Sequence, residues 1–198
     1  MSECRGSLLE LPAWALRGLL SLQAACFPQD PVAASEQAWR RTLEAGLGDQ
    51  DFERILLLYL DSGRTLSYSS LHFPEEPSGA GPECGAPERP LPADPVAAPV
   101  VLGMAYMQRL FEDVELLTLA VTKRARRQGI GRALLSWSAA YWRGQGARRM
   151  LLEVDAANRP ALALYQNLGF RSYGRRRHYY GRGQHADLLE KDLTVLTC

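Results

Sequence analysis

Between an apolar run that ends at Val121 and an amphipathic run that opens at Gly129 lies Thr122-Lys-Arg-Ala-Arg-Arg-Gln-Gly-Ile-Gly-Arg132. A strand that passes into a helix through so short a basic turn leaves few architectures open. The strand must end where the helix begins, with the helix lying back across the sheet. Glycines at 129 and 131 have no Cβ, so backbone N–H groups there can approach a ligand closely. Those N–H groups belong to the free first turn of a helix, whose dipole also favours an anion. Lys123, Arg124, Arg126, Arg127 and Arg132 add positive charge around the same point. The turn reads as a phosphate site; the competing reading is a solvated basic corner that needs glycine only to turn.

Composition supports a polyanionic ligand. The formal net charge of +1 conceals a division, because residues 123–182 hold 14 Lys and Arg against only Glu153 and Asp155. A strongly basic stretch beside acidic remaining sequence fits one part of the chain meeting phosphates.

The rest of the pattern predicts one mixed α/β (α+β) domain over residues 1–198 with a single central sheet. Leu11 to Ala25 reads as a helix with Pro12 near its start, and Ser35 to Glu44 as a second. Ile55–Leu60 reads as a strand, and Val100–Leu110 and Val114–Val121 as an antiparallel hairpin turning at Phe111-Glu112-Asp113. Gly129 to Arg143 is expected to be helical on a stripe of Ile130, Leu134, Leu135, Trp137, Ser138 and Tyr141. Met150–Val154 follows as a buried strand, Arg159–Leu168 as a helix, and Phe170 onward as a final pair of strands. Residues 74–99 hold 8 of the 12 prolines, with three glycines and five acids, and read as a disordered insertion between two strands.

Other classes are disfavoured. Cys4, Cys26, Cys84 and Cys198 show neither metal-ligand spacing nor a disulfide framework, so no metal is expected and a cytoplasmic setting fits. No apolar run approaches the roughly 18 residues of a membrane span. Gly129-Ile-Gly131-Arg-Ala-Leu134 places Leu where a dinucleotide-binding turn wants a third small residue, and no Walker A loop is present. The arginines are spread over helices, loops and strands without an aromatic-rich string, so no direct contact with nucleic acid is expected.

Arg126-Arg-Gln-Gly-Ile-Gly-Arg-Ala-Leu-Leu135 resembles the acetyl-CoA pyrophosphate loop of the GNAT N-acetyltransferases. Leu117–Val121 before it, Leu152-Glu-Val-Asp-Ala-Ala-Asn-Arg-Pro through Leu168-Gly-Phe170 after it, and Arg176-Arg-His-Tyr-Tyr180 are similar to the RimI branch of that family, which acetylates the N-terminal alanine of a small-subunit ribosomal protein. The close resemblance covers about residues 100–190. It implies the GNAT fold, with antiparallel N-terminal strands and helices on both faces, and acetyl-CoA as co-substrate. It further implies that the backbone of Leu119, Ala120 and Val121 pairs with the pantetheine arm. Arg127, Gln128, Gly129, Ile130, Gly131 and Arg132 correspond to the pyrophosphate cradle, and Asn158 to an asparagine that contacts the cofactor. Glu153 falls at the general-base position and Tyr165 at the general-acid position, for transfer to a protein or peptide N-terminus. A lysine side chain or small-molecule amine remains an alternative acceptor, and a non-catalytic acyl-CoA-binding module an alternative role.

The last two residues make chemical sense. Acetyl transfer to an amine needs a proton removed from the ammonium and one supplied to the departing sulfur; a carboxylate and a phenol can do this. Read from the residues alone, Glu153 is equally a strand carboxylate paired with an arginine, and Tyr165 a core residue beside Leu162 and Leu168. Tyr179 and Tyr180 are placed to flank an incoming N-terminus or to form a surface aromatic pair. Glu112, Asp113 and Glu115 could attract a basic peptide or be a solvated turn. Two positions depart from the family: the tryptophan after Phe27-Pro28 comes only at Trp39, and His185 stands where an acid is common.

Overall fold

In the computed structural model, the structure describes residues 3–7, 11, 13–27, 54–63, 65–69 and 99–194. The predicted helix at Ser35–Glu44, Trp39 and nearly all of the 74–99 segment lie outside these residues. Eight strands form one mixed sheet: β1 (Glu3–Ser7), β2 (Arg54–Leu60), β3 (Thr65–Ser69), β4 (Val101–Leu110), β5 (Asp113–Val121), β6 (Arg149–Asp155), β7 (Arg171–Gly181) and β8 (Gln184–Asp192). Their order is β1-β3-β2-β4-β5-β6-β8-β7, antiparallel except for β1 with β3 and β5 with β6. The sequence pattern did not mark β1 or β3, each only five residues long.

Helices cover both faces, as expected. On one face α1 (Ala13–Cys26) buries Ala15, Leu19 and Leu22 against Leu58, Leu60, Met104, Tyr106 and Ala120. On the other, α2 (Ile130–Gly144) and α3 (Arg159–Asn167) cover Met107, Val114, Leu116, Met150, Leu152, Val154 and Leu189. Strand β6 shows the period-2 logic plainly: Met150, Leu152 and Val154 are buried beneath these helices, leaving Leu151, Glu153 and Asp155 on the other side.

The buried line on α2 runs Ile130, Leu134, Leu135, Ser138 and Trp142. This corrects the expected stripe at its far end: Trp142 is fully buried, whereas Trp137 and Tyr141 are only partly so. They stack on each other with centroids 5.2 Å apart and planes 8° from parallel. Each i+4 step along 130-134-138-142 turns about 40° around the helix, and the last member of the row still reaches the core. Packing holds this helix, because its N-cap is Gly129 with no side-chain cap. Glycine at the N-cap forgoes only about 0.3 kcal/mol relative to a capping side chain, against about 8 kcal/mol from burying the four large apolar side chains.

Two irregularities shape the centre. Strand β5 bulges against β4, so that Tyr106 faces Thr118 while Met107 faces Leu116, and Leu117 is left over and exposed. Beyond the bulge β5 and β6 part: their parallel pairing runs only from Asp113↔Arg149 to Leu116↔Leu152. Strand β5 continues to Val121 alongside β4, and β6 to Asp155 alongside β8.

Candidate functional site

The parting of β5 and β6 opens a cleft into the middle of the sheet. Leu119, Ala120 and Val121 line its β5 side. Their backbone pairs with β4 on one side and has no ladder with β6 on the other, so an extended amide chain could hydrogen-bond along it. The basic turn stands at the end of this strand. Arg127 and Gly129 both have positive φ, 66° and 83°, and the turn delivers Ile130, Gly131 and Arg132 as the first residues of a helix with no side-chain cap. Their N–H groups are therefore left for a ligand.

The two glycines work differently. A Cβ at Gly129 would meet open space, so glycine serves the left-handed backbone there. A Cβ at Gly131 would stand 3.1 Å from Leu164 Cδ2 and 3.9 Å from Val121 Cγ2, narrowing the crease between β5, α2 and α3. Gln128 ties the loop together by donating to the Arg124 carbonyl at 3.2 Å. Arg126 turns inward instead, its Nε donating to the Val121 carbonyl at 3.1 Å. Arg127 and Arg132 are exposed and have no acidic partner among the described residues. An uncapped helix start, a crease kept open by glycine and unpaired arginines suit a diphosphate, and the unladdered strand edge suits an amide-containing arm. The residues present thus fit acetyl-CoA.

Asn158 has a structural duty. It caps α3, its Oδ1 accepting the Ala161 N–H at 3.3 Å. Asp155 supports the same turn, its carboxylate accepting the Ala157 N–H at 2.8 Å.

Glu153 projects from β6 on the face away from α2 and α3. It is an ion-paired carboxylate: Arg176 Nη2 lies 3.0 Å from Oε1, with the glutamate side chain largely buried. The Tyr179 phenol hydrogen-bonds to it, and the Arg176 guanidinium lies 5.4 Å from the Tyr179 ring centroid. Glu115 belongs to the same group; burial and the Glu153 charge push its carboxyl up, and Arg176 offsets only part of this. Of the acidic turn, Glu115 alone reaches this group. Glu112 pairs with Arg148 at 2.9 Å and Asp113 with Arg149 at 2.7 Å, which fastens the β4–β5 turn to the start of β6.

Tyr165 is buried on α3, edge-on to Phe170 with centroids 5.6 Å apart. Burial pushes its phenol up to about 12, with a further contribution from Tyr180. Tyr180 in turn is raised by burial and then by Glu153, so it stands electrostatically between the two predicted catalytic residues. Tyr179 and Tyr180 are half-exposed and pack edge-to-face at 4.9 Å. Sequence reasoning did not assign roles to Arg176, Tyr179 on Glu153, or Glu115 beside it. The only signal was the Arg176–Tyr180 string, which says nothing of the bulge that folds it back over Glu153.

Residues 97–170 match the model of the acetyltransferase (GNAT) family. The [ribosomal protein bS18]-alanine N-acetyltransferase of Escherichia coli K12 is 40% identical over 76 residues, 38% of this chain and 51% of that one. An N-alpha-acetyltransferase of Sulfurisphaera tokodaii is 40% identical over 91 residues, 46% of this chain and 54% of that one. The matches span about half the length of these relatives. The crystal structure of the Escherichia coli ribosomal-protein-S18-alanine N-acetyltransferase superposes with a TM-score of 0.59 at 19% identity, covering 94% of this chain and 93% of that one; it shares the fold. No group of metal-ligating side chains occurs among the described residues, and no described helix is long and apolar enough to cross a membrane.

Proposed function

We propose that this chain is an acetyl-CoA-dependent N-acetyltransferase whose acceptor is a protein N-terminal amine, the N-terminal alanine of a small-subunit ribosomal protein being the first candidate. The observation that carries this reading is the cleft between β5 and β6. It has an anion-binding helix start at one end and the Glu153 group beside it. Arg127 to Arg132 would hold the diphosphate, and the free edge of Leu119–Val121 the pantetheine arm. Bound acetyl-CoA supplies an activated acetyl group as its thioester, and transfer is direct, without an acetylated residue of the chain.

Glu153 takes the proton from the acceptor ammonium, directly or through water. Because the structure pairs its carboxylate with Arg176, an arriving ammonium competes with that guanidinium for it. Tyr165 keeps its proton at neutral pH and presents it on the phenol oxygen. A phenol near 12 is a weaker acid than an ordinary thiol at about 8.5. Its contribution is therefore mainly a hydrogen bond to developing negative charge. The activities of the similar enzymes support an N-terminal acceptor, as does the aromatic pair Tyr179 and Tyr180 beside Glu153.

The deciding experiment is thiol release from acetyl-CoA with a panel of peptides. Peptides beginning with alanine are expected to react fastest. Equal rates on lysine-containing peptides with blocked N-termini would overturn the N-terminal assignment. Tight acetyl-CoA binding with no release over a broad amine panel would make the chain a binding module.

A further inference from the structure

The hairpin of β7 and β8 contains a histidine clasp that the reading above does not use. The ladder between these strands, already shifted once between Ser172 and Gly174, runs to Arg176↔Ala186 and resumes only at Gly181↔Gln184. Residues 177–180 are looped out between these points, and His178 sits there with φ of 57°. Two hydrogen bonds close the loop. The Gly183 N–H donates to His178 Nδ1 at 2.8 Å, and the His178 N–H donates to His185 Nδ1 at 3.2 Å. The rings pack edge-to-face with centroids 5.2 Å apart. His185 is also anchored from below, its carbonyl accepting the Ala156 N–H at 2.9 Å from the turn after β6.

We propose that His178 and His185 are positioning residues: their paired Nδ1 acceptors hold the 177–180 loop so that Tyr179 is delivered onto Glu153. This rests on Glu153 lying in the acceptor site. Both Nδ1 atoms accept from backbone N–H groups, so each ring must carry its proton on Nε2. Loss of either acceptor opens the loop. Tyr179 then loses its fixed approach to the Glu153 carboxylate, and Arg176 its aromatic neighbour.

Two variants separate acceptor loss from ring packing. His185→Phe keeps an aromatic ring and removes the acceptor; His185→Asn supplies an oxygen acceptor that does not titrate. The Phe variant is expected to raise KM for the peptide on the order of tenfold, the worth of one lost hydrogen bond, with KM for acetyl-CoA unchanged and kcat affected less. The Asn variant is expected to hold the peptide KM near wild type. A wild-type peptide KM in His185→Phe would overturn the proposal. So would a peptide KM in His185→Asn raised as far as in His185→Phe.

Imidazole nitrogen resonances and Tyr179 ring shifts read the clasp with no substrate present. Unprotonated Nδ1 on both rings, and a Tyr179 shift in His185→Phe, are expected. Protons on either Nδ1 at neutral pH, or an unmoved Tyr179, would refute the clasp whatever the activity. If the nuclear magnetic resonance results hold and no amine is acetylated, the functional reading has failed and the clasp has not.

Discussion

The Glu153 carboxylate lies 3.0 Å from the Arg176 guanidinium, so the residue best placed to take a proton is also one half of an ion pair. The arginine side is more than half exposed, and such pairs are worth at most about 1 kcal/mol. Glu153→Gln should therefore cost little stability, about 1 kcal/mol or less by urea titration. It should slow acetyl transfer by about a hundredfold or more, within the usual range for a lost general base. Acetyl-CoA affinity should be nearly unchanged. Parallel losses of stability, cofactor binding and rate would instead mark Glu153 as structural.

Tyr165 links burial to alkaline pH. Its folded-state phenol is pushed up to about 12 from an ordinary 10, so the folded protein holds that proton more tightly than the unfolded chain. The resulting stabilisation is fully present below pH 10 and is lost as pH rises towards 12, by about 3 kcal/mol at most. Tyr165→Phe should remove this part of the alkaline loss while resembling wild type in stability near neutrality. Urea titrations of both proteins at neutral and alkaline pH check this; parallel curves would refute it.

Glu115 should behave in the opposite way from a paired carboxylate. Its carboxyl is raised by burial and by the Glu153 charge, so ionised Glu115 opposes folding, and this penalty disappears as pH falls and the group protonates. Glu115→Gln is expected to raise Tm modestly at neutral pH, with the gain shrinking in acid. Calorimetry across that range reads it, and a variant less stable than wild type at neutral pH would count against the assignment.

Gly103 tests how the helix start is seated. A Cβ there would lie 2.8 Å from Ile130 Cγ2, 3.3 Å from the Ala120 carbonyl oxygen and 3.3 Å from Leu134 Cδ1. Gly103→Ala should push Ile130, the first residue of α2, away from β4, at about 1–3 kcal/mol. Weaker acetyl-CoA binding should accompany it. Gly129→Ala meets no atoms and should cost about 1 kcal/mol through its left-handed backbone alone. Denaturation and cofactor titration together distinguish the two.

Much of this molecule was legible in local pattern. The β4–β5 hairpin, the basic turn and α3 came from apolar runs bounded by turn residues, signals carried by neighbours in sequence. Strands β1 and β3 were missed because each is five residues long and takes its place by pairing with distant chain. Trp142 was missed because helical phase alone sets Trp137 and Tyr141 in line with Ile130 and Leu134, and only the packing of α2 on the sheet decides that the buried side extends round to Trp142. Asn158 was visible as a special residue, yet only coordinates show its oxygen occupied as a cap. The 177–180 loop was invisible for a similar reason: a register shift between β7 and β8 has no marker in composition, although it decides what surrounds Glu153.

The early end of the β5–β6 ladder has a consequence for the sheet as a material. Four residue pairs join a five-strand leaf to a three-strand leaf, so, besides the outer edges of β1 and β7, the described sheet carries an inner rim on β5. Open edges on a surface invite strands from other chains. This one lies between two leaves, with helices packed on both faces of the sheet, so only something narrow and chain-like can reach its unpaired groups. A fold that ordinarily hides its hydrogen-bonding rim has turned part of that rim inward, and made it selective by geometry alone.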